Sequence, residues 1–310
     1  MNKLISVILP VYNGEDFLDE AINSILNQIY RNFELIIIND SSTDSSESII
    51  LKYADIDKRI VPIRNESNKG LIFSLNKALT KAKGKYIARM DQDDISLPDR
   101  LKIQYNYLSL HHDIDLCGSW IQVFSKDINY IHKYPVEDKE IKSKFLFENP
   151  IAHPSVMFRK KSIKKYKNYK DIEDYATWLL NSHRLKYHNI DRVLLNYRYH
   201  ESNTCKRDNS QKESIEKVIN VFNKFFKVNY NIPKVYSKIF LKQEKYFSKD
   251  ELRSIEVFFL NNINKFIDNH FIYSEILNNI LKVYARNISL LSFLSLKLII
   301  KLIYLKIKTY

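Results

Sequence analysis

Through the first 94 residues, short unbroken apolar runs alternate with stretches whose apolar positions recur every three or four residues. Ile5–Val11 (ISVILPV) and Phe33–Ile38 (FELIII) are runs of β-branched and apolar residues, which predict buried strands. Ile60–Ile63 and Lys85–Met90 (KYIARM) predict two more. Between them, Phe17–Ile29 sets Leu18, Ala21, Ile22, Ile25 and Leu26 on one helical face. Ser42-Thr43-Asp44 predicts a helix start running to about Tyr53, with Ser or Thr as N-cap, and Leu71–Ala82 predicts a helix ended by Gly84.

Strand and helix alternating over short connections predict a parallel α/β sheet with right-handed crossovers. Ligands in such sheets sit beyond the carboxyl ends of the strands. That rule points to 11–15, 39–44, 65–70 and 91–94, which are the polar, acidic and Gly- or Asn-containing stretches. After Pro98 a helix is expected to about Leu110, then a strand or strand pair over Ile114–Phe124, then a less regular alternation over 135–210. Strand signals fade beyond Ser210. The expected domains are therefore a catalytic α/β unit over 1–210 and a helical, basic region over 211–310.

Composition narrows the class. With 45% hydrophobic and 27% charged residues the chain reads as globular, and 4 Gly with 7 Pro exclude collagen-like or low-complexity sequence. Two cysteines, Cys117 and Cys205, make neither a disulfide framework nor a Cys-rich zinc site, so a reducing compartment fits. The start, Met1-Asn2-Lys3-Leu4, lacks the pattern of a signal peptide. The net charge of +13 is uneven: residues 1–110 carry −1 and residues 211–310 carry +9. A basic excess suits anionic membranes, phosphate-bearing substrates or nucleic acid, and a Lys-, Asn- and Ile-rich habit raises it without any partner.

The ligand-edge stretches hold candidate chemistry. In Asp91-Gln92-Asp93-Asp94, carboxylates one residue apart after a strand can share a hard divalent cation, though the same pattern makes a solvated acidic turn. Asp-x-Asp also occurs at Asp55/Asp57 and Asp113/Asp115, but only the Asp91 copy follows a full apolar strand at the ligand edge. Tyr12, in the turn Pro10-Val11-Tyr12-Asn13-Gly14-Glu15, offers a face for a base. In Asn39-Asp40-Ser41-Ser42-Thr43-Asp44, Asp40 can accept from a pyrimidine N–H and a neighbour can cap the next helix. Glu173-Asp174, at a helix start, suits the helix dipole or supplies a base for an acceptor hydroxyl. Arg198 can pair with phosphate, and His200 can bond phosphate or ligate metal.

In this order the stretches SVILPVYNGEDFLDEAINSILNQ, FELIIINDSSTD, NKGLIFSLNKAL, GKYIARMDQDD, NPIAHPSVMFRK, IEDYATW and NYRYH resemble the inverting family 2 glycosyltransferases of the GT-A fold, over about residues 4–200. The resemblance implies a Rossmann-like, mostly parallel sheet flanked by helices, and a nucleotide-sugar, most often UDP-linked, across the strand ends. It implies that Pro10, Val11, Tyr12 and Glu15 border the base, that Asp40 reads it, and that Asn68, Gly70 and Asn76 belong to the third-strand loop and helix. Asp91 then faces ribose and metal, Asp93 ligates Mn²⁺ or Mg²⁺, Asp174 is the base, and Arg198 and His200 close over the diphosphate. Two departures stand out. The usual Asp-Gly-Ser-Thr-Asp appears as Asp40-Ser41-Ser42-Thr43-Asp44, and Tyr-Asp-Leu-Trp appears as Tyr175-Ala176-Thr177-Trp178. The Gln-x-x-Arg-Trp motif of processive members is absent, which favours single additions to a glycan or glycolipid acceptor.

Rivals are a basic scaffold with a degenerate nucleotide fold, and nucleotidyltransferases or dinucleotide enzymes, whose Gly-rich loops are missing here. Residues 276–310 hold six basic residues and no acid, and Ile288–Ile307 is long enough to span a bilayer. Lys297 and Lys301 near its middle favour an interfacial helix instead. The expected location is thus cytoplasmic, peripheral on an anionic inner membrane face, with no nucleic-acid partner.

Overall fold

A computed structural model of the chain describes residues 3–145 and 148–200, with helical positions 217, 220, 221, 224, 250, 253, 254 and 257 beyond them. The chain divides into two compact units, 1–137 with 151–207 and 138–150 with 208–310. In the second unit, α5 (Asp138–Lys144) carries an i,i+4 ion pair of 2.8 Å between Asp138 and Lys142. The basic stretch 276–310 lies outside the described residues, and so does nearly all of the region expected to be helical. Among the described residues no helix is long and apolar enough to cross a membrane.

The first unit is built from β1 (Ile5–Val11), α1 (Leu18–Leu26), β2 (Phe33–Asn39), α2 (Ser46–Ile56), β3 (Ile60–Arg64), α3 (Leu71–Lys81), β4 (Tyr86–Arg89), β5 (Ile95–Ser96), α4 (Arg100–Leu110), β6 (Leu116–Phe124), β7 (Asn129–His132), β8 (Met157–Arg159), α6 (Glu173–Asn181) and β9 (Tyr187–Arg198). One sheet runs β3-β2-β1-β4-β8-β6-β9-β5, with β7 also on β6. The first four strands are parallel, as the alternation predicts. The rest is mixed: β8 is antiparallel to β4 and β6, β5 antiparallel to β9, and β9 parallel to β6. The expected mostly parallel sheet therefore holds for the front half, and antiparallel strands extend it.

Every residue of β1 and β2 is buried, so these strands are covered on both faces. Ile5, Val7, Leu9 and Val11 pack in one cluster with Leu18, Ala21, Ile22 and Ile25 of α1, while α3 lies against β1 and β2. Trimming such a leucine to alanine costs about 2–5 kcal/mol. The α2 helix starts at Ser46, later than the Ser42-Thr43-Asp44 signal predicts, and no side chain caps it from the N-cap position. Asp44 Oδ1 instead accepts the Ser46 N–H at 3.0 Å.

Two turns at the carboxyl edge need left-handed backbone. Gly70, ahead of α3, has φ 87° and ψ 163°, a region open essentially to glycine alone. Ser41, which stands at the glycine position of the Asp-Gly-Ser-Thr-Asp pattern noted above, takes φ 61°. The lost glycine thus leaves the turn's left-handed backbone in place, at a cost of about 1–2 kcal/mol for a residue with a Cβ. We expect Gly70→Ala to lower stability by about 1–3 kcal/mol and Ser41→Gly to raise it by about 0.5–1 kcal/mol, read from urea midpoints. A neutral Gly70→Ala overturns this account of the turn.

Candidate active site

The carboxyl ends of β1, β2, β3 and β4 carry four loops that are stitched to one another. Asn13, itself at φ 48°, donates its N–H to Ser42 Oγ at 3.0 Å and accepts the Thr43 N–H at 2.9 Å. Glu15 Oε2 accepts the Ser45 N–H at 2.9 Å, and the Glu15 N–H reaches Asp44 Oδ2 at 3.0 Å. Gln92 pairs reciprocally with the backbone of Tyr12, at 2.8 and 3.2 Å. Its amide lies where a Cβ on Gly14 would fall, at 2.7 Å. Asp40 accepts from Asn65 Nδ2 at 2.6 Å, the Lys69 N–H at 2.9 Å and the Gly70 N–H at 2.7 Å. Asn68 Oδ1 takes the same Gly70 N–H at 3.1 Å.

The sequence-predicted rim residues therefore do meet. Pro10 and Val11 end β1, Tyr12 stands exposed beside Gln92, and Asp40, Asn68 and Gly70 share one loop network. Glu15 and Asp40 are committed in this structure to neighbouring backbone.

At the end of β4, Asp91, Asp93 and Asp94 bring one oxygen each within 4.8 Å of one another. Arg89, 2% exposed, runs beneath them and pairs with Asp91 through Nη1. Arg100, wholly buried, donates to the Arg89 carbonyl at 2.7 Å and to Gln104 at 3.1 Å. Burial pulls its guanidinium down to about 10, which leaves it charged at neutral pH. Burial also pushes Asp91 up to about 6, against the pull of Arg89 and with Asp93 and Asp174 adding to the rise. Asp94 rises well above the usual carboxylate range by burial and by the charges of Asp91 and Asp93.

Arg198 and His200 converge on this loop from the end of β9. The Arg198 guanidinium lies between the Phe17 and Phe124 rings, 4.6 and 4.8 Å from their centroids. Its Nε donates to the Asp93 carbonyl at 2.9 Å, its backbone N–H to Asp94 Oδ1 at 2.9 Å, and it pairs with Glu20. His200 Nε2 is 2.9 Å from Asp93 Oδ2. Asp94 Oδ2, by contrast, is buried with no hydrogen-bond partner. An orphaned carboxylate oxygen among hard oxygen donors, with an imidazole alongside, fits a divalent cation.

A second group gathers at the start of α6. His153, Glu173 and Asp174 bring ligand-type atoms within 4.8 Å of one another. His153 Nδ1 is 3.8 Å from Glu173 Oε1, and its Nε2 is 3.1 Å from the Tyr166 hydroxyl. Burial drops His153 well below the ordinary histidine value, helped by Arg89. Burial pushes Glu173 up to about 8, with Asp174 next in effect. The sequence places Glu173 beside the expected base Asp174, whereas it gives no sign of the parts taken by His153 and Tyr166. Asp94 adjoins the Asp-x-Asp motif, and Arg89 stands one residue before Met90, so position in the strand end is the signal both carry. The His153–Tyr166 meeting is a tertiary contact with no local signal.

A family model described as glycosyl transferase family 2 matches residues 6–167. The chain belongs to that family. It is 40% identical over 212 residues to the O-antigen biosynthesis glycosyltransferase WbnJ of Escherichia coli, covering 66% of this chain and 82% of WbnJ. It is also 40% identical to an uncharacterized glycosyltransferase of Methanocaldococcus jannaschii, covering 63% of this chain and 70% of that one. Among solved structures, Staphylococcus aureus TarS in complex with UDP superposes with TM-score 0.57 at 19% identity, over 92% of this chain and 88% of that chain. The Pyrobaculum calidifontis mannosyltransferase PcManGT, in complex with GDP-Man and Mn²⁺, gives TM-score 0.58 at 14% identity, over 85% and 76%. The fold is thus that of the GT-A enzymes, and this glycosyltransferase carries its acidic loop at the ligand edge of the sheet.

The proton affinities at this edge predict a pH dependence. Glu173 keeps its proton in the folded state between its ordinary value of 4.5 and about 8, while the unfolded chain has lost it. Its contribution is full below 4.5 and is lost as pH rises through about 8. The melting temperature of metal-free protein should fall from pH 6 to pH 8.5, and Glu173→Gln should flatten part of that fall. An unchanged slope in Glu173→Gln removes Glu173 from the cause.

Proposed function

We propose that this glycosyltransferase moves one sugar from a UDP-linked donor to a saccharide or lipid-linked acceptor, with inversion and with a divalent cation. One observation carries the reading: two separate acidic groups, Asp91–Asp93–Asp94 and Glu173–Asp174, share one edge and feel each other's charge. Inverting transfer needs one group for the departing diphosphate and another for the acceptor proton. The names of relatives support the acceptor class, since WbnJ is described as an O-antigen biosynthesis enzyme. The TarS complexes with UDP and UDP-GlcNAc support the donor class.

In this reading Asp91 and Asp93 hold Mn²⁺ or Mg²⁺, with Asp94 and His200 beside them. The cation, when bound, neutralises charge developing on the leaving diphosphate. Tyr12 stacks on the uracil at the open rim and Asp40 faces its N–H. The diphosphate lies toward Arg198, whose Nε and backbone N–H brace the acidic loop. Asp174 takes the proton from the acceptor hydroxyl as that oxygen attacks the anomeric carbon from the face opposite the diphosphate. Burial keeps the proton on Glu173 at neutral pH, beside the proposed base.

Incubation with UDP-sugars, Mn²⁺ and an acceptor should release UDP. Asp93→Ala should abolish release, and Asp174→Asn should lower kcat by about 10²–10⁴ while UDP affinity stays within a few fold. Full turnover by Asp174→Asn removes it as the base. Binding of UDP with no turnover of any donor favours the scaffold alternative. The basic, acid-free run 276–310 supports a peripheral seat on an anionic membrane. The full chain should sediment with phosphatidylglycerol vesicles and be released by high salt, and a protein that stays in the supernatant at low salt ends that part of the reading.

A further inference from the structure

Beside Asp174 lie a buried histidine and a buried tyrosine that donor binding and proton transfer leave without a task. His153 sits in a short 3-10 turn (His153–Ser155), and Tyr166 lies on the segment between β8 and α6. Tyr166 is wholly buried, and its hydroxyl reaches His153 Nε2 at 3.1 Å. The other edge of the same ring, Nδ1, faces Glu173 Oε1 at 3.8 Å. That gap is longer than a hydrogen bond. Hydrogen bonds of catalytic groups commonly tighten only when substrate is bound.

The surroundings hold these groups in place. Trp178 stands edge-on to His153 at 6.1 Å and to Tyr166 at 5.8 Å. Asn76 of α3 clamps the Tyr166 backbone, accepting its N–H at 2.8 Å. Glu173 is anchored through its own carbonyl, which accepts from Thr177 Oγ1 at 2.5 Å. A site needing only apolar filling has no use for a buried phenol bonded to a buried imidazole whose other edge faces a carboxyl, because burying these polar groups costs desolvation.

We propose that His153 and Tyr166 are positioning residues that orient the Glu173 carboxyl and, through it, the neighbouring Asp174 base; this rests on the assignment of Asp174 under Proposed function. Glu173 donates its O–H to His153 Nδ1, and the Nε2–H donates to the Tyr166 oxygen. Glu173 then has one preferred rotamer, and its proton points away from Asp174. A neutral histidine suits the task, since an imidazolium would weaken the base. The charged and titratable groups facing Glu173 are Asp174 on its own helix, Arg89 and Asp91 from the end of β4, His153 from the 3-10 turn and Tyr166 from the segment before α6.

Tyr166→Phe removes one oxygen and keeps the packing, so it is the primary test. It should lower kcat about tenfold, leave donor KM and UDP affinity within about twofold, and move the acid limb of the pH–rate profile. His153→Leu should do the same or more, and His153→Gln, which keeps a polar group toward Tyr166, should recover part of the loss. A folded Tyr166→Phe enzyme with native kcat and a native pH profile overturns the inference, whether or not His153→Leu folds. Should Asp174→Asn retain full activity, it is the base assignment that fails, and the inference falls with it for a separate reason.

Discussion

A buried guanidinium under a cluster of carboxylates is the constraint on which this site depends. Two like charges 4.8 Å apart repel by about 3 kcal/mol at an effective dielectric constant of 20. Asp91, Asp93 and Asp94 together with Glu173 and Asp174 cannot all be ionised at such spacings without help. Arg89 supplies one positive charge from beneath, and Arg100 a second at greater depth, tied to the Arg89 carbonyl. Burial first, and the neighbouring negative charges after it, raise the proton affinity of Asp91, Asp94 and Glu173. Asp94 Oδ2 stays buried among these carboxylates with no hydrogen-bond partner, in a cluster whose oxygens are close enough to share a cation.

Holding this charge in place requires a stiff edge, and the loop-to-loop hydrogen bonds provide it. Asn13 and Ser41 accept left-handed backbone so that the β1 and β2 loops can exchange bonds. Gln92 ties the β4 loop to Tyr12, and Asp40 draws in the loop ahead of α3. Arg198, packed between two aromatic rings, pins the end of β9 to the Asp93 and Asp94 segment. Strain of about 1–2 kcal/mol at Ser41 is small beside the several bonds it enables.

The fold and the site are legible in the sequence where the physics is local. Continuous β-branched runs at Ile5–Val11 and Phe33–Asn39 announce strands buried on both faces, and the rule for parallel sheets then locates the ligand edge. The chain beyond β4 is harder to read because its pairing is distant: β8 has three residues and inserts between β4 and β6, and β5 has two and pairs only with β9. Single-residue chemistry divides the same way. The acidic run at Asp91–Asp94 is visible as a run, whereas Glu15 and Asp40 turn out to hold neighbouring backbone in addition to any role toward a ligand. His153 lies inside a family-like stretch, NPIAHPSVMFRK, yet nothing local marks it. Its meaning comes from a hydroxyl 13 residues away in sequence and 3.1 Å away in space.

The two acidic groups differ in how they are balanced, and that difference separates their work. The Asp91–Asp94 loop meets Arg198 and His200 from the end of β9, and Arg89 pairs with Asp91. The Glu173 carboxyl is buried and faces His153, while Arg89, whose charge acts on it, is paired with Asp91. Burial there disfavours the charged carboxylate, and Asp174 alongside adds to the effect, so Glu173 is pushed up to about 8. A carboxyl that holds its proton up to about 8 thus stands directly before a second acid, Asp174, at the start of the same helix. Environments that push neighbouring groups apart in this way are how one fold assigns acid and base roles. Here burial sets the Glu173 carboxyl apart, with the Tyr166 and Trp178 rings standing against the histidine it faces.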